Sequence, residues 1–365
     1  MIDDHVHPVS FEFEPFDLGE LGLDVDPAPA ATERRRRLAP GRLYVHLMHT
    51  RLAGLLGVSA DEAPAARDEQ AAGDWAGWVR RLAEDAGLTG MVLDEALHPD
   101  DPAQPVARYE ELTGRRVWKL ARLDPLVDRL IGDGAAAPEI VAAVEGFMAD
   151  AAASGAVGFK TVLAYRTGLA VAPDADLAGA QRSLADDVPV RRRGKALRDL
   201  VFRTALERCA DLGLPIQVHT GFGDSEIRLA ESDPLLLEEV LRTPEGTAAT
   251  VVLIHGSFPW HEQAAYLASV KPNLWVELSL SNLFAPVGVA DRLVEMLDVA
   301  PRGRVLLGSD GHGVPETHWF GCRVLAEAWR TASRALADAG AKDAWLDETR
   351  AAIFEGNARE VYALR

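Results

Sequence analysis

Two histidines one residue apart, His5 and His7, stand at the start of a 365-residue chain. Two more, His219 and His255, end the apolar runs IQVH and VVLIH, and Asp310 follows another in LLGSDGH. Imidazole nitrogens and a carboxylate oxygen are the ligands a zinc-like divalent ion accepts. Three or four of them with one position left open make a catalytic site rather than a structural one. A single histidine at the end of a strand is ordinarily a hydrogen-bonded polar residue, and an isolated HxH says little. The signal lies in the joint pattern, provided that the fold brings these positions together. Around them stand weaker candidates. Tyr165 and Arg166 follow Lys160 in GFKTVLAYR, and an arginine there could clamp a substrate carboxylate through two parallel hydrogen bonds. Glu277 and Ser279 share one face of an apolar run, and His312 sits two residues beyond Asp310. His46 and His49 have helical spacing and read as lid or packing residues. Phe222 and Trp260 could wall a pocket.

The elements that must position these residues read as alternating strands and helices. Apolar runs at Ile2–His7, Thr89–Leu93, Val117–Leu120, Val157–Leu163, Ile216–His219, Val251–His255, Leu274–Leu280 and Val305–Ser309 predict eight strands. Amphipathic helices are expected at Asp74–Ala86, Pro138–Ser154, Gly194–Leu212, Pro234–Arg242 and Val287–Leu297, and a closing helix at Asp347–Leu364. Pro138 with Glu139 makes a helix start, and Gly155 and Gly213 sit where C-terminal caps belong. Strand–helix alternation implies a parallel sheet, and eight units close a (β/α)8 TIM barrel. Period-two alternation puts His5 and His7 on one face. The surplus over a bare barrel falls into insertions after strands one (Pro8 to Asp74) and four (Tyr165 to Val190), on the face where barrel enzymes build their sites. A doubly wound open sheet is the competing architecture, but no GxGxxG follows the first strand. The expectation is an α/β chain with residues 1–365 forming one barrel domain.

Composition narrows the function. With Lys plus Arg at 38 and Asp plus Glu at 56, the formal charge is −18. Such a surface repels phosphate backbones and anionic lipid heads, so neither nucleic acid nor membrane is an expected partner. The basic runs Arg34–Arg37 and Arg191–Arg193 read as solvated faces or local anion contacts. No apolar run approaches the ~18 residues of a membrane span, and MIDDHVHP has acids where a signal peptide carries lysine or arginine. Cys209 and Cys322 build no disulfide framework and Cys209 reads as inert, so a reducing cytoplasm is the expected compartment.

The motifs DDHVHP, PIQVHTGFGD, VVLIHG and LLGSDGH, with the ending FEGNAREVYAL, resemble the amidohydrolase superfamily and its amidohydrolase-2 branch. GFKTVLAYRTGL and IQVHTGFGD look most like the nodulin/FluG-type domain, which some eukaryotic proteins carry fused to a glutamine-synthetase-like domain. The resemblance runs from Ile2 to Leu364. It implies His5, His7, His219 and Asp310 as metal ligands, and His255 as the residue that polarises the substrate or orients water. It also implies Asp310 as the group that takes a proton from water and passes it to the leaving group. The metal would lower the pKa of water from 15.7 toward ~7. Lys160 stands where binuclear members carry a carboxylated lysine. It has three readings: a carbamate ligand, a cation for a substrate carboxylate, or a lysine at the edge of the core. Superfamily members with a β-sandwich place the first strand well inside the chain. HxH at residue five therefore predicts a lone barrel.

The expected activity is metal-dependent hydrolysis of an amide or related C–N bond of a small molecule, a γ-glutamyl amide among the candidates. The cofactor is a divalent metal, zinc foremost, with one ion expected and two as the alternative. Tyr165, Arg166, Glu277, His312 and Lys160 are the expected substrate contacts. A non-oxidative decarboxylase or hydratase of the same branch is the first rival, and a non-catalytic metal- or ligand-binding barrel the second. A homo-oligomer fits barrels of this kind.

Overall fold

The computed structural model describes residues 1–17, 21–94 and 106–364. Eight parallel strands lie side by side in sequence order: β1 (Ile2–Val6), β2 (Gly90–Asp94), β3 (Arg116–Arg122), β4 (Gly158–Thr161), β5 (Ile216–His219), β6 (Val251–Ile254), β7 (Leu274–Leu278) and β8 (Val305–Leu307). Helices cover the outside. Strands enclosed on both faces carry near-continuous apolar runs, and Val251, Val252, Leu253 and Ile254 of β6 are all fully buried.

Closure is made just past the end of β8. The Asp310 N–H donates to the His5 carbonyl at 2.9 Å, and the His7 N–H to the Gly311 carbonyl at 2.8 Å. The same two bonds that seal the barrel bring His5 and His7 against Asp310.

β1 is not a regular strand. Its register against β2 slips between Asp3 and Val6. Asp3 faces outward, accepting from the Ser309 N–H at 2.6 Å and from the Cys322 thiol at 3.3 Å. Asp4 and His5 both reach the barrel interior, Asp4 to Gln217 and Tyr362 and His5 to Lys160. Strict alternation would send those two neighbours to opposite faces, so the slip is what admits both. Asp3 and Asp4 are both completely buried.

The insertion after β1 folds into helices Pro29–Leu38, Leu43–Leu56 and Ala63–Gly73, ahead of the barrel helix Trp75–Asp85. Asp74 caps that last helix by accepting from the Gly77 N–H at 2.9 Å. Arg67, fully buried, fixes the insertion to helix Pro315–Asp338. Its Nε donates to Glu316 Oε1 at 2.6 Å, and Trp78 Nε1 donates to the same oxygen at 2.6 Å. His49 packs its ring 5.6 Å from Phe16, while His46 is exposed. The basic runs settle into local ion pairs: Arg34 with Asp24, Arg36 with Asp17, Arg191 with Glu226 and Arg192 with Glu231.

Two expected helices differ. Pro234–Arg242 forms tight 3-10 turns at Pro234–Leu237 and Val240–Arg242, followed by a short helix from Pro244. The residue before a proline is driven out of helical geometry, and Thr243 accordingly sits at φ −67° and ψ 162°. The closing helix is broken into Asp343–Ala351, a wide π-type turn at Ala352–Gly356 and Asn357–Val361. Asn357 there donates to the carbonyls of Arg302 and Val305 at the foot of β8. Among the described residues no helix is long and apolar enough to cross a membrane.

Candidate metal centre

At the C-terminal ends of the strands, His5, His7, His255 and Asp310 converge. Asp310 Oδ1 lies 3.4 Å from His5 Nε2 and 3.2 Å from His7 Nε2, and Asp310 Oδ2 lies 3.9 Å from His255 Nδ1. The His219 ring sits 4.4 Å from that of His255, and the His5 ring 5.4 Å from it. Two ligand sets share His5: one with His255 and Asp310, the other with His7 and Asp94. His255 and Asp310 both hold left-handed backbone, at φ 70° and 53°. A side chain with a Cβ occupies that region at a cost that recurs where a site must aim a group.

The electrostatics suit a cation. Burial pushes His5, His219 and His255 well below the ordinary histidine range, with Lys160 and the neighbouring imidazoles adding to the effect. These rings are therefore neutral and present lone pairs. Asp310 Oδ1 is buried without a hydrogen bond, as are Nδ1 of His5 and of His7. A carboxylate oxygen left bare between imidazole nitrogens is costly unless a positive charge lies among them. The donor set is thus the kind that a divalent ion takes, and His5 with His255 and Asp310, or with His7 and Asp94, would hold it.

Beneath the site, His255 is braced by β7. The Glu277 Oε2 accepts from the His255 N–H at 3.0 Å and from the Ser279 hydroxyl at 2.7 Å, while Ser279 Oγ lies 2.8 Å from His255 Nδ1. Glu277 is fully buried, and burial, with Asp4 nearby, holds its carboxyl well above the usual range. That places Glu277 as the support of His255.

Lys160 is 1% exposed, with Nζ 3.3 Å from His5 Nε2. Burial lowers its ammonium to about 8, against the opposing pull of Asp94. The Tyr165 ring packs 4.6 Å from His219, and its oxygen accepts from the Asp224 N–H at 3.1 Å. Arg166 spends its Nε on Asp128 at 2.9 Å, while its buried Nη1 has no hydrogen-bond partner. His312 donates from Nδ1 to the Asp310 carbonyl at 2.8 Å and stacks on Phe284. Phe222 turns its carbonyl to His219 Nε2 at 3.2 Å and its ring to Phe258; Trp260 is half-buried. Cys209 is buried, and burial raises its thiol.

Two residues escaped the sequence reading. Asp94 ends β2 and Arg122 ends β3, and the Arg122 Nε meets the Asp94 carboxylate at 3.0 Å. Their one trace in the sequence is a charged residue closing an apolar strand at the face where barrel sites form, which a surface ion pair would leave equally.

Fold and site together define a metal-dependent barrel, and the chain belongs to the amidohydrolase family, whose model matches residues 2–364. It is similar to Protein fluG of Emericella nidulans, at 30% identity over 328 residues, covering 80% of this chain. The chain spans only 37% of that relative's length. Among solved structures it resembles a Lactobacillus casei protein assigned as a metal-dependent hydrolase, with TM-score 0.85 and 24% identity, covering 99% of this chain and 94% of the other. It also resembles a uronate isomerase from Bacillus halodurans, with TM-score 0.63 and 16% identity, covering 100% and 93%. At those identities the likeness is one of fold.

Proposed function

We propose that the protein is a hydrolase that uses one divalent ion, zinc foremost, to cleave an amide or related C–N bond of a small molecule bearing a carboxylate. The observation that carries this reading is the bare Asp310 carboxylate oxygen between His5 and His7, inside a ring of imidazoles. A divalent ion held there supplies Lewis acidity, drawing charge from a carbonyl oxygen and easing deprotonation of water. Asp310 is the proton acceptor, taking a proton from the attacking water and returning it to the leaving nitrogen. His255 donates its Nδ1 hydrogen to Ser279, which is held in turn by Glu277, so its Nε2 is bare and orients the attacking water by accepting from it.

The anionic end of the substrate is assigned to Lys160, beside His5, and to Arg166 on the short helix that follows β4. Lys160 and the unpartnered Nη1 of Arg166 supply positive charge, in a protein whose overall charge is −18. Such a layout suits a γ-glutamyl amide, a choice that otherwise rests on analogy with the fluG relative. The same cations favour a second reading, a decarboxylase, in which they hold a departing carboxylate and no water attacks.

The test is a panel of γ-glutamyl amides given to zinc-loaded protein in 18O-labelled water. Hydrolysis puts one label into the new carboxylate and frees the amine. Release of CO2 from a carboxylic-acid panel, with no label incorporated, would replace the hydrolase reading by the decarboxylase.

A further inference from the structure

Arg166 ends the short helix Leu163–Arg166 that follows β4. It stands one residue past Tyr165, whose ring packs 4.6 Å from that of His219. The residue is only 5% exposed, yet just one of its guanidinium nitrogens is bonded. Nε donates to Asp128 Oδ2 at 2.9 Å, and neither Nη1 nor Nη2 donates to any described residue.

Asp128 lies on the helix Asp124–Gly132 after β3, and its carboxylate is shared. Its other oxygen, Oδ1, accepts from Arg198 Nη2 at 2.7 Å. Arg198 is buried and is itself fixed, donating from Nε to the Arg193 carbonyl at 2.9 Å and from Nη2 to the Val190 carbonyl at 3.0 Å. One arginine thus anchors the carboxylate, and the carboxylate holds the second by its Nε edge. The neighbouring acids are engaged elsewhere. Asp124 accepts from the Val162 N–H at 2.8 Å and from the Thr161 hydroxyl at 3.3 Å, and Asp224 from the Glu226 N–H at 2.9 Å. Nη1 and Nη2 lie side by side at the end of the guanidinium, a planar fork whose spacing matches the two oxygens of a carboxylate. Nη1 is buried, and a buried donor without an acceptor carries a cost that a ligand anion removes.

We infer that Asp128 is the positioning residue of Arg166: by holding Nε it presents the Nη1 and Nη2 fork to the carboxylate of the substrate, and Arg198 keeps Asp128 in place. The inference rests on the reading that the substrate carries a carboxylate. It makes recognition of that group depend on Asp128 and Arg198, which do not touch the substrate. It also requires the fork and not merely a positive charge, so lysine does not replace Arg166.

The test is titration calorimetry of the purified protein with two probes of one shape: glutaramate, which ends in a carboxylate, and glutaramide, in which a neutral amide replaces it. The expectation is that wild type binds glutaramate about tenfold tighter or more. Arg166→Lys and Asp128→Asn each erase most of that preference and leave the affinity for glutaramide unchanged. Arg198→Lys, which reaches Asp128 but not both carbonyls as well, erases part of it. A wild type without the preference, Arg166→Lys and Asp128→Asn that keep it, or variants that weaken both probes alike overturn the inference. If Asp128→Asn does not fold, Arg166→Lys and Arg198→Lys carry the test. The readout is binding, so a protein that shows this pattern and cleaves no amide loses the hydrolase reading and keeps the carboxylate fork.

Discussion

Burial of Lys160 couples the stability of this fold to pH. Its ammonium is lowered by burial from 10.5 to about 8. Between those two values the unfolded chain binds a proton that the folded chain does not. Stability therefore rises with pH across that window, and the whole penalty stands below pH 8. Replacing the charge by an isosteric apolar group removes the penalty. Metal-free Lys160→Met is expected to exceed wild type by roughly 3 kcal/mol at pH 7.5, an advantage that shrinks toward pH 10.5. Urea unfolding of both proteins at several pH values checks this, and a difference independent of pH would contradict it. Asp310→Asn keeps the shape of the group but accepts no proton, so kcat is expected to fall about 10²- to 10⁴-fold with little change in melting temperature. The four site histidines and Asp310 were legible as residue types closing apolar runs. Asp94 and Arg122 were not, because the runs MVLD and KLAR were read as ending before the charged residue. A lone acid or base in that place looks like a surface ion pair until the two strands are seen side by side.

At the scale of the element, the insertion after β1 depends on one buried pair. Arg67 and Glu316 are each completely buried, and Glu316 also takes the Trp78 indole N–H. Glu316 lies in the first turn of helix Pro315–Asp338, beside Thr317, whose hydroxyl accepts from the His312 N–H at 2.8 Å. The pair thus ties the insertion to the loop that carries Asp310. Arg67→Met leaves Glu316 buried without its counter-charge, which costs about 3–5 kcal/mol. Urea unfolding measures the loss. Limited proteolysis is expected to cut first within residues 8–74; cleavage elsewhere with stability unchanged would mean the pair is not the anchor. The strands themselves were readable from sequence because enclosed parallel strands are apolar throughout. The helices were readable where a cap and a proline agreed, as at Pro138. Of the two misread, the run Pro234–Arg242 is broken locally before Pro244, and the closing helix is broken where a tertiary contact decides the matter. The slip in β1 shows only in its pairing with β2, and the break near Asn357 is set by carbonyls at the foot of β8.

For the whole molecule, metal and fold are linked. An ion that binds the folded chain alone stabilises it by about 2.7 kcal/mol at a hundredfold excess over Kd. Spread over the unfolding entropy of 365 residues, that raises the melting temperature by about 3 °C. His5→Ala is expected to abolish the shift. The most direct measurement is the metal content of the chain, by elemental mass spectrometry on protein from metal-replete growth. The expectation is about one divalent ion per wild-type chain and per Lys160→Met chain, and almost none in folded His5→Ala. An ion-free wild type would contradict it, as would a His5→Ala chain that keeps its ion.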